Sequence, residues 1–548
     1  MLPGELCICQ EKEATTSHYF LSGKIHLIEK FTTRLLLTLS LALVPQLGCL
    51  PSSPSDRPPG YLVIGLESSP THLDPRYATD ANSARIAALI FSSLTRMDER
   101  SRFKPDLAER WEMIDERTYL FHLKKGVTFH NGQPLTAADV KFTYETALDP
   151  KNQSPKRGLL NVVEAVDQLG PYTVRFRLKA PHAPFLESSM LGIVPEGSPR
   201  GRDPTENGLI GSGPFSLEKF LPGEKVVLKA NTTYWEGQPS VSGLVFKIIP
   251  DAIIRVLEFK KGSVDFLQND IEPDMLPWLK SNTNASILTR QGTIYQYIGF
   301  NLEHPILRHR EVRQAIAYAI DREAIIRHLL KGLATPATGL LSPLHWAYES
   351  SVLRFSYNPE EANRLLDQAG FLDPDGEGPL PRFKLSYKTT TLDLRRRIAE
   401  ALKEQLEKVG IELDVRTFEW GTFYEDIKKG RFHLYSLAWV GIADPDIYFT
   451  IFHSSSIPPH GNNRGRYRNP KIDQLLDRGR RISNLEERRG IYSRVQKMLA
   501  HDLPYIPLWW VKNVVVMKPT IRGFIPYPDG DLISLKEVSL AIPYPPSL

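Results

Sequence analysis

Apolar positions along this chain recur with two periods, which predict strands and helices in alternation. Tyr61–Leu66 form a short apolar run of strand type, and residues 81–94 carry apolar positions at helical spacing. Further along, residues 383–387 and 411–415 alternate as strands do, and residues 398–409 between them have helical spacing. This order predicts two parallel strands joined by a right-handed crossover. The chain is therefore expected to be an α/β protein.

Capping residues support the same alternation. Thr136 is a helix cap with Asp139 in the first turn, and Asn358 directly precedes a proline at the first helical position. Two further helices are predicted to start near Asn469 and Asn484. These signals place helices between the predicted strands, as an α/β fold requires.

Residues 431–449 combine a buried strand with a polar turn. The run from 432 to 440 is almost continuously apolar, which is typical of a strand covered on both faces. Gly441 and the Asp444-Pro445-Asp446 segment then predict a turn. Trp439 and two carboxylates therefore stand at the end of a buried strand, where open α/β sheets bind ligands. The alternative is a core tryptophan followed by an ordinary Asp-Pro turn.

Length and composition narrow the class of protein. The chain has 548 residues, which exceeds one core, so two or three domains are expected. Hydrophobic content of 41% and charged content of 24% are typical of a soluble globular protein. A net charge of +5 without a long Lys/Arg block argues against nucleic acid as a partner. The cysteines are Cys7, Cys9 and Cys49, so the chain after Cys49 has neither disulfides nor a cysteine-ligated metal site.

The last part of the first 49 residues has the pattern of an export signal. Residues 30–34 are basic, and the apolar run at 35–43 is too short to span a membrane comfortably. Because the segment closes on Gly48 and Cys49, it resembles a bacterial lipoprotein signal, in which Cys49 is lipidated. Gln46 departs from the aliphatic residue usual in that signal, and a plain secretory signal is the alternative.

Residues before the basic segment fit no signal plan, and we expect translation to start later than Met1, with Leu27 as an alternative start. Residues 50–60 are rich in proline and serine and are typical of a tether. The folded body is therefore expected outside the cytoplasm, on the periplasmic or cell-surface side, and held to a membrane by the lipid at Cys49.

No motif of catalysis or metal binding stands out in the sequence. A Gly-rich phosphate loop, a zinc-protease signature and a serine-hydrolase elbow are not found, and neither is a nucleophile with its base. The 14 histidines are scattered, and surface or core positions are the default for each. A non-enzymatic protein without cofactor or metal is therefore expected.

Several ordered motifs carry a family resemblance from Tyr61 to the C-terminus. The chain resembles the extracytoplasmic solute-binding proteins of peptide-type ABC importers, the oligopeptide/dipeptide/nickel-binding group known as solute-binding protein family 5. The motifs that carry it are the segments at 104–150 (KPDLAERW to ALDP), 211–215 (GSGPF), 231–235 (NTTYW), 311–322 (EVRQAIAYAIDR), 467–470 (YRNP) and 503–508 (LPYIPL).

This resemblance implies a two-lobed periplasmic-binding-protein fold of type II, in the large class with an extra subdomain. Lobe I is expected at 61–290 with an inserted subdomain at about 98–204, lobe II at 291–510, and a return to lobe I at 511–548. The ligand cleft lies between the lobes, which two hinge crossings join near residues 295–301 and 507–513.

The resemblance also implies where a ligand binds. The segment after the strand that ends at Trp439 is expected in the cleft, where its backbone pairs with an extended peptide as an added strand. Trp420 matches a second aromatic position near the cleft, although a place in the lobe core is equally compatible with it. The candidate ligand-binding residues are Trp439, Val440, Gly441, Ile442, Asp444, Asp446, Trp420, and Ser68 and Ser69 after the first strand.

Two positions depart from the peptide-binding relatives. Those relatives have a carboxylate three residues after the tryptophan, which grips the ligand's amino terminus, and this chain has Ile442 there. Oligopeptide binders have an arginine three residues before the tryptophan, and this chain has Ser436. Asp444 is placed to take over the missing carboxylate, or to fix the turn through its own backbone. The departures favour a ligand held by backbone and aromatic contacts.

The function that the resemblance implies is that of the solute-binding component of an ABC importer. It would capture a peptide or peptide-like ligand and deliver it to a membrane permease whose ATPase is a separate chain, and it would act as a monomer. An alternative is a non-peptide solute such as a metal chelate, a haem-like compound or an oligosaccharide. A further alternative is a lipoprotein with chaperone or adhesive function on the same fold.

Overall fold

The computed structural model describes residues 57–100, 102–199, 209–376 and 378–541. The predicted signal region with its lipidation site Cys49, and the tether up to residue 56, lie outside the described residues. No helix within those described ranges has both the length and the apolar character to cross a bilayer.

The strands of the described residues are numbered in chain order. They are β1 Tyr61–Leu66, β2 Thr95–Met97, β3 Phe103–Pro105, β4 Ala108–Asp115, β5 Thr118–Leu123, β6 Val163–Gly170, β7 Thr173–Leu178, β8 Phe215–Leu221, β9 Lys225–Ala230, β10 Gly243–Ile248, β11 Phe266–Gln268, β12 Ser286–Phe300, β13 Ala334–Pro336, β14 Phe383–Thr390, β15 Ile411–Phe418, β16 Leu434–Trp439, β17 Tyr505–Met517, β18 Ile521–Arg522 and β19 Ser539–Leu540.

The helices are numbered in the same way. They are α1 Ala81–Ile90, α2 Ala137–Leu148, α3 Arg157–Leu160, α4 Phe185–Ser188, α5 Ala252–Lys261, α6 Met275–Asn282, α7 Arg310–Ala319, α8 Arg322–His328, α9 Pro359–Gln368, α10 Asp393–Glu407, α11 Trp420–Lys429, α12 Ile447–Phe452, α13 Pro470–Arg481 and α14 Leu485–Asp502, with short 3-10 turns at Pro150–Asn152, Ser454–Ser456 and Ile533–Glu537.

One large mixed sheet runs through both lobes of the molecule. Its order is β15-β14-β16-β12-β17-β11-β1-β10-β9-β8, and β13 also pairs with β17. We use lobe I for the part built on β1 and β8 to β11, and lobe II for the part built on β13 to β16. The long strands β12 and β17 pair with each other along both parts, so they connect the lobes covalently and through their hydrogen bonds.

The pairing of β12 with β17 is interrupted where one lobe gives way to the other. The register shifts between Gln291 and Ile294, and the N–H of Thr293 donates to the carbonyl of Pro528 instead (3.0 Å). Such an irregularity bends a strand locally. The interruption lies just before the predicted first crossing at 295–301, and the hinge and the exact bounds of the lobes stay predictions.

Each face of the large sheet is covered by its own apolar core. Along β17, Trp509 packs on one face of lobe II with helices α7 to α10, and Trp510 packs on the other with α11 to α14. Neighbouring strand residues point to opposite faces, so one strand serves both cores. Lobe I has two cores in the same arrangement. This covering on both faces is why the strand sequences read as continuous apolar runs.

A separate four-stranded antiparallel sheet, β4-β5-β7-β6, forms the inserted subdomain with α2 to α4. It has its own core, in which Tyr144 and Phe176 meet edge to face at 4.8 Å between ring centroids. Edge-to-face pairs of this kind add to the stability that burial provides. The subdomain is thus a compact body attached to lobe I beside α1.

The local patterns in the sequence predicted most of these elements. β1 has the predicted bounds, and β14 and β15 pair in parallel with Phe383 opposite Ile411. The backbone N–H of Thr136 donates to Asp139 (2.7 Å), and Asn358 and Asn484 accept from the first turns of α9 and α14. The predicted alternation of strands and helices is therefore confirmed.

The first helix is shorter than predicted, because it ends at Ile90 instead of residue 94. The chain leaves the helix to make long-range contacts: the N–H of Ser93 donates to the Asp106 carboxylate (2.8 Å), and the carbonyl of Ser92 accepts from Ile193 (2.9 Å). These partners are distant in sequence, so helical spacing alone gave no sign of them.

Glycine 211 allows the chain to pass tightly against the end of α1. A Cβ at Gly211 would overlap the carbonyl oxygen of Ile90, and the nearby Gly213 donates its N–H to that same oxygen (2.9 Å). We expect Gly211→Ala to lower the free energy of unfolding by about 1–3 kcal/mol, because the methyl group forces backbone apart. Gly158→Ala, where a Cβ meets open space, should change it by less than about 1 kcal/mol. Urea unfolding of both variants checks this, and equal effects would contradict it.

Candidate functional site

Strand β16 leaves one of its edges unpaired towards its C-terminal end. Its first two residues, Leu434 and Tyr435, pair with Tyr387 and Lys388 of β14, and residues 436–439 pair with β12 alone. The chain then enters the turn at Gly441, whose φ of 69° suits glycine. The backbone N–H and C=O groups of Val440 and Gly441 make no hydrogen bond with the residues that the structure describes.

A cavity of about 410 Å³ opens beside this turn. Its walls come from α1, the inserted subdomain, the C-terminal segment near Asp531, and Gly441. Ser92 and Ser93, which follow α1, also line it. Among the lining residues Gly441 belongs to lobe II, so the cavity lies where that lobe faces lobe I and its inserted subdomain. Its size is within the range of small-ligand sites.

Trp439 sits on a stack of aromatic rings at the end of β16. Its ring is parallel to that of Tyr297 (6.5 Å between centroids), and the Arg464 guanidinium lies 4.9 Å from the centre of its indole. The indole Nε1 is buried without a hydrogen-bond partner among the described residues. Val440, next along the chain, is half exposed. The pair presents an aromatic and an aliphatic surface next to unpaired backbone.

Asp444 is held by the protein itself. Its two carboxylate oxygens accept from the two terminal nitrogens of Arg488 (2.5 and 2.7 Å), and both side chains are buried. Oδ1 also accepts from the backbone N–H of Asp446 (2.8 Å), so Asp444 fixes the turn. This is one of the two roles that the sequence left open for Asp444. Arg488 already engages both oxygens of Asp444. A direct contact between Asp444 and a ligand amine stays a prediction. Ile442 is buried in the core of lobe II and is not among the cavity-lining residues.

Asp446 forms a second, looser ion pair with Arg480. Its Oδ1 lies 3.0 Å from the Arg480 Nε, but the two atoms are outside hydrogen-bond geometry. Burial raises the pKa of Asp446 to about 6, against the lowering effect of Arg480. The guanidinium of Arg480 also lies 3.8 Å from the centre of the Phe449 ring. The two carboxylates of the turn are thus each matched by one arginine.

Gly441 alone among the sequence candidates is a cavity-lining residue, and Trp420, Ser68 and Ser69 lie elsewhere. Trp420 begins α11, is 56% exposed and stacks on Tyr424 at 5.3 Å, so the structure does not place it in the lobe core. Ser68 accepts from the Asn82 side chain (3.1 Å), and the Ser69 hydroxyl accepts from the N–H of Gly223 (3.0 Å). Neither serine is among the cavity-lining residues, although Asn82 belongs to α1, which lines it. Their roles in binding stay predictions.

Contacts between the inserted subdomain and lobe II bring further residues to this region. The N–H of Ala183 donates to the carbonyl of Arg480 (2.7 Å), which ties the subdomain to the end of α13. His182 beside it has its pKa lowered to about 4, by burial first and then by Arg480. His345, behind the turn, has its pKa lowered to about 4 mainly by burial. Both imidazoles are therefore neutral at neutral pH.

Sequence reasoning missed Arg488 and Glu187. Arg488 carried a usable signal, since it lies three and four residues before Ile491 and Tyr492 on the apolar face of α14. A charge on such a face predicts a buried ion pair, although not which partner it has. Glu187, in the short helix α4, lines the cavity, and no local pattern marks it.

A clustered metal site is absent from the described part of the chain: no group of three or more His, Cys, Asp or Glu side chains there is arranged to hold an ion.

Comparison with known proteins identifies the family of the chain. The family model described as bacterial extracellular solute-binding proteins, family 5 Middle, matches residues 102–458. The oligopeptide-binding protein AppA of Bacillus subtilis (strain 168) is 32% identical over 502 residues, which cover 88% of this chain and 92% of that protein.

Solved structures give the same result at the level of the fold. AppA from Bacillus subtilis in complex with a nonapeptide has a TM-score of 0.74 and 31% identity, and the match covers 88% of this chain and 99% of that one. NikZ from Campylobacter jejuni in complex with Ni(L-His) has a TM-score of 0.75 and 28% identity, with 88% and 100% covered. The family match spans more than half of the chain, and the similarity to AppA extends over most of both proteins. This chain therefore belongs to family 5 of the bacterial extracellular solute-binding proteins.

Proposed function

We propose that this protein is the solute-binding component of an ABC importer and captures a peptide or peptide-like ligand between its two lobes. The observation that carries the proposal is the free backbone at the end of β16. Residues 436–439 lack a second strand partner, and the backbone groups of Val440 and Gly441 make no hydrogen bond with the described residues. They stand beside a cavity of about 410 Å³.

Free backbone of this kind suits an extended peptide. Backbone N–H and C=O groups are strong hydrogen-bonding groups, and a peptide that adds itself as a strand satisfies its own groups and those of the protein together. Such pairing does not depend on the ligand's side chains, so it supports binding of many sequences. The nonapeptide bound to AppA shows that a relative of this chain holds a peptide on the same fold.

The ligand would also stabilise the closed arrangement of the lobes. In the structure the Ala183–Arg480 hydrogen bond already joins the inserted subdomain to lobe II, and on another side Asp274 of lobe I lies 3.2 Å from Arg397 of lobe II. A ligand that touches both lobes binds the closed state more tightly and shifts the population towards it. The closed form would then dock on a membrane permease, with an ATPase on a separate chain.

The protein would act on the outer side of the cytoplasmic membrane. The family name describes extracellular solute-binding proteins. We propose in addition that Cys49 carries a lipid and that residues 50–60 tether the body to the membrane. Metabolic labelling with a fatty-acid analogue, with Cys49→Ala as the control, tests the anchor: label on both proteins or on neither would contradict it.

The proposed function is tested by offering the purified protein a mixture of peptides. The full-length protein is unfolded and refolded to remove bound ligand, incubated with a proteolytic digest of casein, desalted and examined by native mass spectrometry. We expect bound masses that match peptides of the digest. A refolded protein that retains no peptide, or a sample that carries one non-peptide mass from its expression host before it is unfolded, would contradict peptide capture.

A further inference from the structure

The inserted subdomain places a carboxyl group without a partner at the cavity. Glu187 lines the cavity together with Gly441, which comes from the opposite lobe. Its side chain makes no hydrogen bond or ion pair with the residues that the structure describes. The residue is partly exposed and lines the cavity, and its carboxyl group is largely desolvated by the surrounding protein. Carboxyl groups that lose most of their water normally have such partners, so this one calls for an explanation.

Glu187 has no cation of its own among the described residues once it ionises. Asp444 and Asp446 raise the pKa of Glu187, and Arg488 lowers it. Asp444 is paired with Arg488 and Asp446 with Arg480, so both arginines are already matched. His182 and His345, which lie near the Asp444–Arg488 pair, are neutral at neutral pH because their pKa values are lowered to about 4. Three carboxyl groups therefore share two guanidinium groups.

No other charged residue among the described residues of the cavity wall pairs with Glu187. Arg96 is bound bidentately by Glu236 (2.6 and 3.0 Å) and also lies near Asp106. Burial lowers the pKa of Lys156, which makes no ion pair with Glu187 among the described residues. Asp531 is negative when ionised and accepts from the N–H of Ile533 (2.7 Å).

We propose that Glu187 is the ligand-binding carboxylate of this protein and holds a protonated amine of the ligand in the cavity. The inference rests on the proposed peptide capture and adds the group that recognises the ligand's charge. The turn after Trp439 has Ile442 in the core and Asp444 engaged by Arg488, so neither supplies a free carboxylate there. The inserted subdomain supplies one from the facing wall. The amine would then contact one lobe while the ligand backbone contacts the other.

The protonation of Glu187 agrees with this role. Burial, and then the neighbouring Asp444 and Asp446, raise the pKa of Glu187 to about 8, so in the empty cleft the group is mostly protonated at neutral pH. An arriving ammonium group favours the ionised form, and the proton leaves to solvent. Binding should therefore tighten several-fold per pH unit between pH 6 and 7 in the natural protein. The dependence should be weaker in Glu187→Gln, where Asp446, with its pKa raised to about 6, and the cavity-lining Asp531, with its pKa raised by burial, are the carboxyl groups that still titrate in this range.

The test uses the peptide mixture with its amines blocked to different extents. One portion of the casein digest is left free, one is acetylated at its α-amines alone, and one is acetylated at every amine. We expect the natural protein to retain at least tenfold less peptide from a blocked portion, because a buried carboxylate loses its ionic partner. Loss already with the first blocked portion assigns the site to the peptide amino terminus, and loss only with the second assigns it to a lysine side chain.

Two variants decide whether Glu187 is responsible. Glu187→Gln keeps the shape of the side chain and should bind the free digest at least tenfold more weakly, without preference for free amines. Glu116→Gln, an exposed residue of the same subdomain, should behave as the natural protein does. Retention of free and blocked peptides to the same extent, or a Glu187→Gln variant that still prefers free amines, would overturn the inference alone. A natural protein that retains no peptide from any portion would overturn the proposed function, and the inference with it.

Discussion

Arg488→Met is expected to destabilise the folded protein by about 3–5 kcal/mol. The substitution leaves Asp444 buried without its cation, because Arg488 provides both hydrogen bonds to that carboxylate (2.5 and 2.7 Å). Removing one partner of a buried pair costs this much, since the remaining charge is neither solvated nor matched. Arg488 also donates to the carbonyl of Gly479 (2.9 Å), so the contact between α13 and α14 weakens as well. Urea unfolding, followed by far-UV circular dichroism, measures the loss.

Two further variants separate the ion pair from other effects. Arg489→Met alters the exposed neighbour on the same helix and should change the free energy of unfolding by no more than about 0.5 kcal/mol. The double variant Arg488→Met with Asp444→Leu removes both charges and should recover a large part of the loss. If the loss in the double variant equals the sum of the losses in Arg488→Met and in a single Asp444→Leu variant, the pair does not act as a unit.

Gly441→Val is expected to reduce peptide retention at least tenfold and to lower the free energy of unfolding by about 1–2 kcal/mol. A residue with a Cβ is strained at the φ of 69° that Gly441 adopts. Apart from its chain neighbours, no atom of the described residues lies within 4 Å of the added Cβ, and Gly441 lines the cavity, so the new side chain occupies ligand space. The loss of binding should therefore exceed what strain alone explains. Retention of peptides from the casein digest measures it.

Gly370→Val is the matched control for backbone strain. Gly370 follows α9, has a φ of 84° and also meets open space, but it belongs to no wall of the cavity. Its substitution should cost similar stability and leave peptide retention unchanged. A similar loss of retention in both variants would show that the strain disturbs binding indirectly. Unchanged retention in Gly441→Val would contradict the placement of the ligand beside this glycine.

The extent to which sequence predicted the site differs from residue to residue. The sequence led directly to the turn after Trp439, because an apolar run that ends at glycine and Asp-Pro is visible in neighbouring positions. It left two roles open for Asp444, a ligand contact or the fixing of the turn. The second is what the structure supports, since the N–H of Asp446 donates to it and Arg488 covers it. Whether Asp444 is available for a ligand contact depends on the position of Arg488, which is 44 residues away in the chain.

By itself, the sequence determined the elements of the fold and their kind. Periods in hydrophobicity and helix caps depend on contacts within a few residues. They therefore predicted β1, the parallel pair β14 and β15, and the starts of α9 and α14. Family motifs then gave the two-lobed architecture. Only the tertiary structure decided which charges meet: it joined Asp444 to Arg488 and brought Glu187 of the inserted subdomain to the same cavity as Gly441. The physical reason is that ion pairing and desolvation depend on distance through space, and no local pattern in the sequence encodes that distance.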